Sequence, residues 1–579
     1  MRAALALIFL VLWWPAAGPA AGQPPATQAA LLPVQVERAL KHVPDDAALV
    51  AIVPSVDALA AGLSAFGKAA GIPDLGEVTA RGLLDKALDK SAAALDPAGP
   101  LVLVLSAGHE EPILIAALES EESWKAATQP SVLRDDVRVY EFGTDRFVAA
   151  SIGPVAIFAR EKGELRRALD STGQFVARFS TDAGPWLGQR HVVVYADVPA
   201  WKNEIEASFG LVAQRMSVGM VAAGPDAEAS RQVGNWMLER LKRMVLEART
   251  YVGSVRVDAR GVFADSRALF PPDSGVGRYL QQVHRPKRDL LRGLPAGDGP
   301  VVVALEWEEE PGAESFSEAM VKALVNMEPL RQRIGAEKLE ALARQSMELN
   351  RTVPGTSMVF GFSPAGKGLL YWGLYLTREG EAVQRDMRRI CELTPELMGA
   401  WGAFPAAMTP STPEHVAGVA VDIYQFNFEV ESSPRQPVVE ALYGKSPTLY
   451  MAPHPQGVAY AFGPDADARE KLTRLLKPDA APLSRDPHVT NLFKILTPDP
   501  QMCILVDVPA LLTSVAGLLE QFGVPLPPLE LGDAQAPWAG LAFYLEPAAP
   551  RVEFFVPAEP IQAAVKALKE LEGPTDEAY

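Results

Sequence analysis

Four apolar runs, at 48–55, 191–200, 301–306 and 501–510, each lead into a stretch where apolar residues return every three or four positions. The run predicts a strand, and the period that follows it predicts an amphipathic helix. The second and fourth runs end alike, in Asp197-Val198-Pro199-Ala200 and Asp507-Val508-Pro509-Ala510. Proline suits the first turn of a helix, because its missing N–H is one of the donors left free there. The aspartate before it is placed to cap that helix, which gives its carboxylate a local structural role.

Each run opens a unit in which one or two helices, two further strands and a closing helix follow. The paired strands are expected at 101–106 and 112–118, at 253–258 and 262–268, at 357–362 and 369–376, and at 538–545 and 552–556. The first and third units carry an added meander and helix. It is expected at 137–142, 147–152 and 155–159 with a helix from Glu161, and at 416–423, 426–431, 449–453 and 458–462 with a helix from Ala466. Long, short, long, short is the pattern that head-to-tail copying of one two-unit block leaves. The expected fold class is α+β: tandem-duplicated units of strand-helix(-helix)-strand-strand-helix, with helices layered on mostly antiparallel or mixed sheets. The two halves are placed at 40–285 and 295–572, with a linker at 286–294 and a tail at 573–579.

In the second unit Ile205, Phe209, Val212, Met216 and Met220 recur at helical spacing, and so do Val233, Trp236, Met237, Leu241, Met244 and Val245. Gly224-Pro225-Asp226 separates the two helices. Each is expected to bury one stripe against a sheet. The alternative is a methionine-rich pair covering an adaptable apolar cleft.

A chain of 579 residues exceeds the roughly 250–300 over which one core grows, so two or more domains are required. At its start, Arg2 precedes an apolar run at 3–14 that Pro15 ends, and Ala20-Ala21-Gly22 offers small residues before Gln23. This predicts a signal peptide at 1–22 and a flexible lead-in at 23–39, hence an exported protein, periplasmic or extracellular, with no stable membrane span after cleavage. With 71 Asp and Glu against 54 Lys and Arg, the net charge of −17 repels phosphate backbones, so nucleic acid is not an expected partner. The basic cluster His284-Arg285-Pro286-Lys287-Arg288 reads as solvated linker. Cys391 and Cys503 read as small buried hydrophobes.

Reactive motifs fail on spacing. Gly361-Phe362-Ser363-Pro364-Ala365-Gly366 sets its last glycine one residue too far for a nucleophile elbow, and Pro364 removes a needed N–H. Gly444-Lys445-Ser446 ends like a phosphate loop, but Val439 stands where its first glycine belongs. His109-Glu110-Glu111 lacks a second histidine four residues on, and the seven histidines supply no local ligand pair. Asp465 and Asp467 suit a helix N-terminus better than a calcium loop. Glu306-Trp307-Glu308-Glu309-Glu310 reads as a charged strand end. No catalytic, cofactor-binding or metal-binding residue is assigned, and no cofactor is expected.

The opening Val43-Pro44-Asp45-Asp46-Ala47-Ala48-Leu49-Val50-Ala51-Ile52, followed by Val56-Asp57-Ala58-Leu59, resembles the unit starts of uncharacterised bacterial exported families. The resemblance implies an exported α+β protein and transfers no functional residue. The expected function is a non-enzymatic binding or scaffold protein, its partner a protein or a small apolar ligand. A carrier of an apolar ligand or lipid, and a hydrolase with a spatially assembled site, are the alternatives.

Overall fold

The computed structural model describes residues 32–571 apart from 110, 128–129, 135–136, 141–147, 189, 222–226, 283–288, 298, 307–324, 326–330, 333–334, 364–367, 401–405, 429–439, 442–443, 445, 478–480, 522–537 and 548. The expected signal peptide, the tail, the basic cluster 284–288 and most of the acidic strand end at 306–310 lie outside these residues. The strands of the first half are β1 (Ala47–Val53), β2 (Leu101–Ser106), β3 (Ile113–Ala117), β4 (Pro130–Arg134), β5 (Val137–Tyr140), β6 (Val148–Ile152), β7 (Val155–Ala159), β8 (Val192–Asp197), β9 (Thr250–Asp258) and β10 (Gly261–Leu269). The second half contributes β11 (Val301–Glu306), β12 (Gly355–Phe362), β13 (Leu369–Leu376), β14 (Ala406–Pro410), β15 (Glu414–Val416), β16 (Val419–Phe428), β17 (Thr448–His454), β18 (Gly457–Gly463), β19 (Met502–Val506), β20 (Ala539–Tyr544) and β21 (Arg551–Pro557).

Nineteen of these strands join in one antiparallel sheet, and β4 and β5 pair apart from it. The class is α+β, and every strand pairing described is antiparallel. From one edge the order runs β6-β7-β3-β2-β1-β8-β9-β10. It crosses to the second half where β10 pairs β21, then continues β20-β19-β11-β12-β13-β18-β17-β16-β14. Outward from the β10–β21 seam, the first eight strands of each half therefore occur in the same order.

Helices cover the sheet because their apolar stripes match its buried positions. Helix Val56–Ala69 packs on β9 and helix Asp465–Leu475 on β18, each capped or opened by acidic or hydroxyl residues in its first turn. The largest core gathers Trp372, Leu374, Leu472, Leu492 and Leu505 in the second half. Its counterpart holds Leu40, Ile52, Ile115, Phe175 and Tyr195 in the first.

Several expectations change in detail. Within the stretch read as lead-in, Val34–Leu40 is a helix, because Val36, Ala39 and Leu40 line up at helical spacing and are buried. Within the expected linker, Leu290, Leu291 and Leu294 enter the second-half core, and the Ser357 hydroxyl donates to the Leu290 carbonyl. The strands expected at 416–423 and 426–431 are instead the hairpin β15–β16, whose turn is Ala417-Gly418, both at positive φ. Gly418 takes that conformation at no steric cost, and Tyr424-Gln425 offers no turn residue to break β16. Strand β14, with two alanines and a terminal proline, carries too weak a pattern to be expected.

The two long helices of the second unit depart most from expectation. Lys202–Val221 and Ala227–Glu247 pack on each other in preference to any strand. Ile205, Phe209, Val212, Trp236 and Leu241 are only half-buried, while Leu211 and Met237 are 49% and 47% exposed. The side chains of Met216, Met220 and Val233 lie outside the described ones. No side chain described in either helix is fully buried, so the expected core stripe is replaced by a partly open apolar seam.

Candidate functional site

Side chains along a strand alternate between the two faces of a sheet, and register carries each face from strand to strand. One line of partners can be followed across the seam. Val192 pairs with Val255, Val255 with Ala264, and Ala264 with Phe554. Phe554 then pairs with Leu541, Leu541 with Ile504, Ile504 with Val303, and Val303 with Met358. All eight are apolar and none is fully buried; Phe554, beside the centre, is 40% exposed, while Val255 packs against the core of Phe66 and Val257, and Met358 against that of Tyr424 and Tyr460. Eight strands at the usual spacing make this row roughly 34 Å long.

The next residue on each strand gives the opposite face: Val193, Ser254, Asp265, Glu553, Ala542, Cys503, Ala304 and Ser357, again in register. Every one is buried, Asp265 and Glu553 to 6% and 3% exposure. The centre of the sheet thus hides its charges and shows water its hydrocarbons. Apolar surface left in water forfeits about 25 cal/mol per Å², so the partly exposed centre of this row is surface that the fold leaves incompletely covered.

The hidden face is a charged network. Arg190 donates to Asp265 at 2.9 Å and to the Ser254 hydroxyl at 2.9 Å, and Ser254 in turn donates to Asp265. Arg551 meets Glu553 at 2.6 Å, and Glu553 also accepts from the backbone N–H and hydroxyl of Thr497 at 2.6 and 2.9 Å. Glu546 lies 3.2 Å from Arg551 and 3.5 Å from Arg267. The guanidinium groups also stack on rings, Arg190 and Arg256 on Phe263 at 4.6 and 5.2 Å and Arg551 on Tyr544 at 4.4 Å. Burial pulls the Arg267 guanidinium down, with Glu546 opposing, and burial raises the Tyr544 phenol, helped by Glu553. Asp265 and Glu553 are each held by several donors, which suits a structural joint.

The candidates singled out by sequence are dispersed over the fold. Ser363 is buried and bonds to Asp467 across the sheet-to-helix contact, while Asp465 accepts from the Tyr450 hydroxyl at 2.7 Å. Burial, and next the bond to Asp465, raise the Tyr450 phenol. Asp507 caps its helix through the Ala510 N–H at 3.0 Å, as expected; Asp197 instead faces Arg178 at 3.2 Å. A guanidinium within reach outcompetes a neutral backbone donor for that carboxylate. His109 Nδ1 sits 2.7 Å from buried Glu164, which also accepts from Arg167. His191 and His454 use Nδ1 to accept the N–H of Val257 and of Gln456, each at 3.2 Å, and burial lowers both imidazoles. Ser446 contacts Asn427, and Lys445 lies outside the described residues. Among the described residues no group of three His, Cys, Asp or Glu side chains is arranged to hold a metal ion.

Neither the open row nor the charged network was singled out from sequence. The available signal was weak: β19 and β11 are apolar at every position up to Glu306, so they predict two apolar faces without saying which one is sealed. No described helix is long and apolar enough to cross a membrane.

No family model matches the chain, and no curated protein matches it. Among solved structures it is similar to crystal form I of TP0453, with a TM-score of 0.22 at 10% identity over 40% of this chain and 78% of that one. Crystal form IV of TP0453 gives 0.23 at 8% identity, over 43% of this chain and 87% of that one. Values this low establish neither a shared fold nor a shared role.

Proposed function

We propose that the chain is an exported, non-enzymatic binding or scaffold protein whose contact surface is the partly exposed apolar row around Phe554, from Ala264 to Val303. The observation that carries this is the inversion at the seam, where Phe554 stands in water while its neighbours Glu553 and Phe555 are buried. A phenyl ring that is continuous with other partly exposed apolar positions across neighbouring strands is the kind of surface that a partner covers. The partly open seam of the helical hairpin Lys202–Val221/Ala227–Glu247 and the 37% exposed Val515 on helix Val508–Gln521 add apolar surface of the same kind. Export rests on the charged, apolar and small-residue pattern of residues 1–22.

The test is titration of the purified chain, lacking residues 1–22, with an anilinonaphthalene sulfonate dye under native conditions. Saturable fluorescence is expected, weakened at least tenfold in Phe554→Asp and Leu541→Asp variants whose circular dichroism is unchanged. Equal dye binding by parent and variants would remove the reading.

A further inference from the structure

We infer that the β10–β21 seam is a two-fold, self-complementary strand pair, so the partner that fits β10 when β21 is withheld is β10 of a second copy of this chain. The axis passes between Asp265 and Glu553, which face each other. From Asp265 the partners run Ser254, Val193, Ile52 and Val102. From Glu553 they run Ala542, Cys503, Ala304 and Ser357. Chain spacing aligns the two lines independently of the pairing. Ser254 and Asp265 are separated by as many residues as Ala542 and Glu553. Asp-Val-Pro-Ala follows Val193 at the interval at which it follows Cys503. The outer hairpins match as well, since the pairs Ala150–Ile157 and Ala452–Ala459 enclose equal spans.

Packing follows the same axis. Beyond β10, Phe270 and Leu280 share a core with Phe543 and Leu545 of the other half. Beyond β21, Ala558 and Ile561 share one with Val255 and Val257, the positions equivalent to Phe543 and Leu545. A contact that applies one patch of each half to the same patch of the other is isologous, the geometry of a homodimer. The side chains of β10 suit such a pairing. The strand runs from Gly261 to Leu269, so Asp265 is its central residue and two copies overlap along their whole length. In the seam Phe263 faces Phe555 and Arg267 faces Arg551. Between two copies of β10 each Arg267 faces a Phe263 ring instead, which replaces a like-charge pair with cation–ring contacts. The two Asp265 carboxylates that meet are each neutralised by Arg190 of their own copy, the bond the chain already makes. In the intact chain the linker keeps β21 at high effective concentration, and self-pairing forms where that advantage is removed.

The test uses the full chain with a protease site inserted between Gln282 and Asp289, cut once, with both pieces kept in the mixture. An Ala264→Cys/Ser266→Cys variant is cut, unfolded in denaturant, dialysed back and oxidised. Cys391 and Cys503 both lie in the second piece, so a disulfide-linked dimer of the first piece reports on the introduced thiols alone. Self-pairing sets residue 264 of one copy opposite residue 266 of the other. That dimer is expected at a yield at least tenfold above Ala264→Cys alone, and at least tenfold above the uncut double variant. Native mass spectrometry of the cut parent, with no cysteine introduced, is expected to show dimers of the first piece beside the mixed pair. Mixed pairs without first-piece dimers at any concentration overturn the inference. Cross-linking that is equal in Ala264→Cys, or in the uncut chain, also overturns it, since it then reports collision without register.

Discussion

Asp265 and Glu553 stand directly opposite each other across the β10–β21 seam, and each is neutralised from within its own half, by Arg190 and by Arg551. Like charges facing each other across two strands repel, so the joint holds only while both arginines are in place. Asp265→Ala strands the Arg190 guanidinium beside a buried face. A loss of about 3–5 kcal/mol is expected by denaturant unfolding, reduced when Arg190→Met is combined with Asp265→Leu. Additive losses in the double variant would contradict the pairing.

Phe554 and Phe555 are adjacent in sequence and opposite in environment. Phe555→Ala opens a cavity in the core and is expected to cost about 3–5 kcal/mol. Phe554→Ala is expected to cost about 1 kcal/mol or less, while weakening apolar dye. Paired unfolding curves and dye titrations on the two variants check the contrast.

Gly261 opens β10 at a φ of +152°, where a Cβ would overlap the Val556 carbonyl oxygen of the partner strand. Gly261→Ala combines strain with that clash, and about 1–3 kcal/mol of destabilisation is expected. Hydrogen exchange localises the effect: the amides of β21 are expected to lose protection before those of β13.

Complete burial pushes the Cys503 thiol up to about 12, so almost no thiolate exists at pH 8. Iodoacetamide is expected to leave the Cys503 peptide unmodified in the native chain and to label it promptly in denaturant. Native labelling at the denatured rate would contradict the packing of β19.

The lowered imidazoles of His191 and His454 give stability a direction with pH. In the unfolded chain they protonate near 6.5; in the folded chain burial makes both protonate lower, and Nδ1 of each accepts a backbone N–H. Below pH 6.5 the unfolded state therefore binds more protons, and stability falls as the medium acidifies. A smaller fall between pH 7.5 and 5.5 is expected for the His191→Asn/His454→Asn double variant, read from denaturant midpoints.

The strands were the legible part of this fold. β2, β7 and β13 occur at the residues their apolar runs predict, and β9 and β12 differ by three residues at most, because β-branched runs between turn residues leave few alternatives. The site was not legible. Strands such as Met502–Val506 and Val301–Glu306 lack alternation, so nothing local says that Ile504 and Val303 face water while Leu505 and Ala304 do not. Alternation in β10 and β21 is misleading, since Asp265 and Glu553 point inward to guanidinium partners, Arg190 distant in sequence and Arg551 on the same strand. The helical hairpin misled for a different reason: its 3.6-residue period marks an apolar stripe, but only tertiary packing decides how far that stripe is sealed.

The seam joins a strand made early to one made late. While the chain is being synthesised, β10 is complete some 280 residues before β21 emerges, and until then the edge that β21 later pairs, along Gly261 to Arg267, is an open sheet border. A nascent or truncated polypeptide ending before Arg551 thus carries a sticky margin. That margin is an opening for chaperones and for aggregation alike, and synthesis of the last strands closes it.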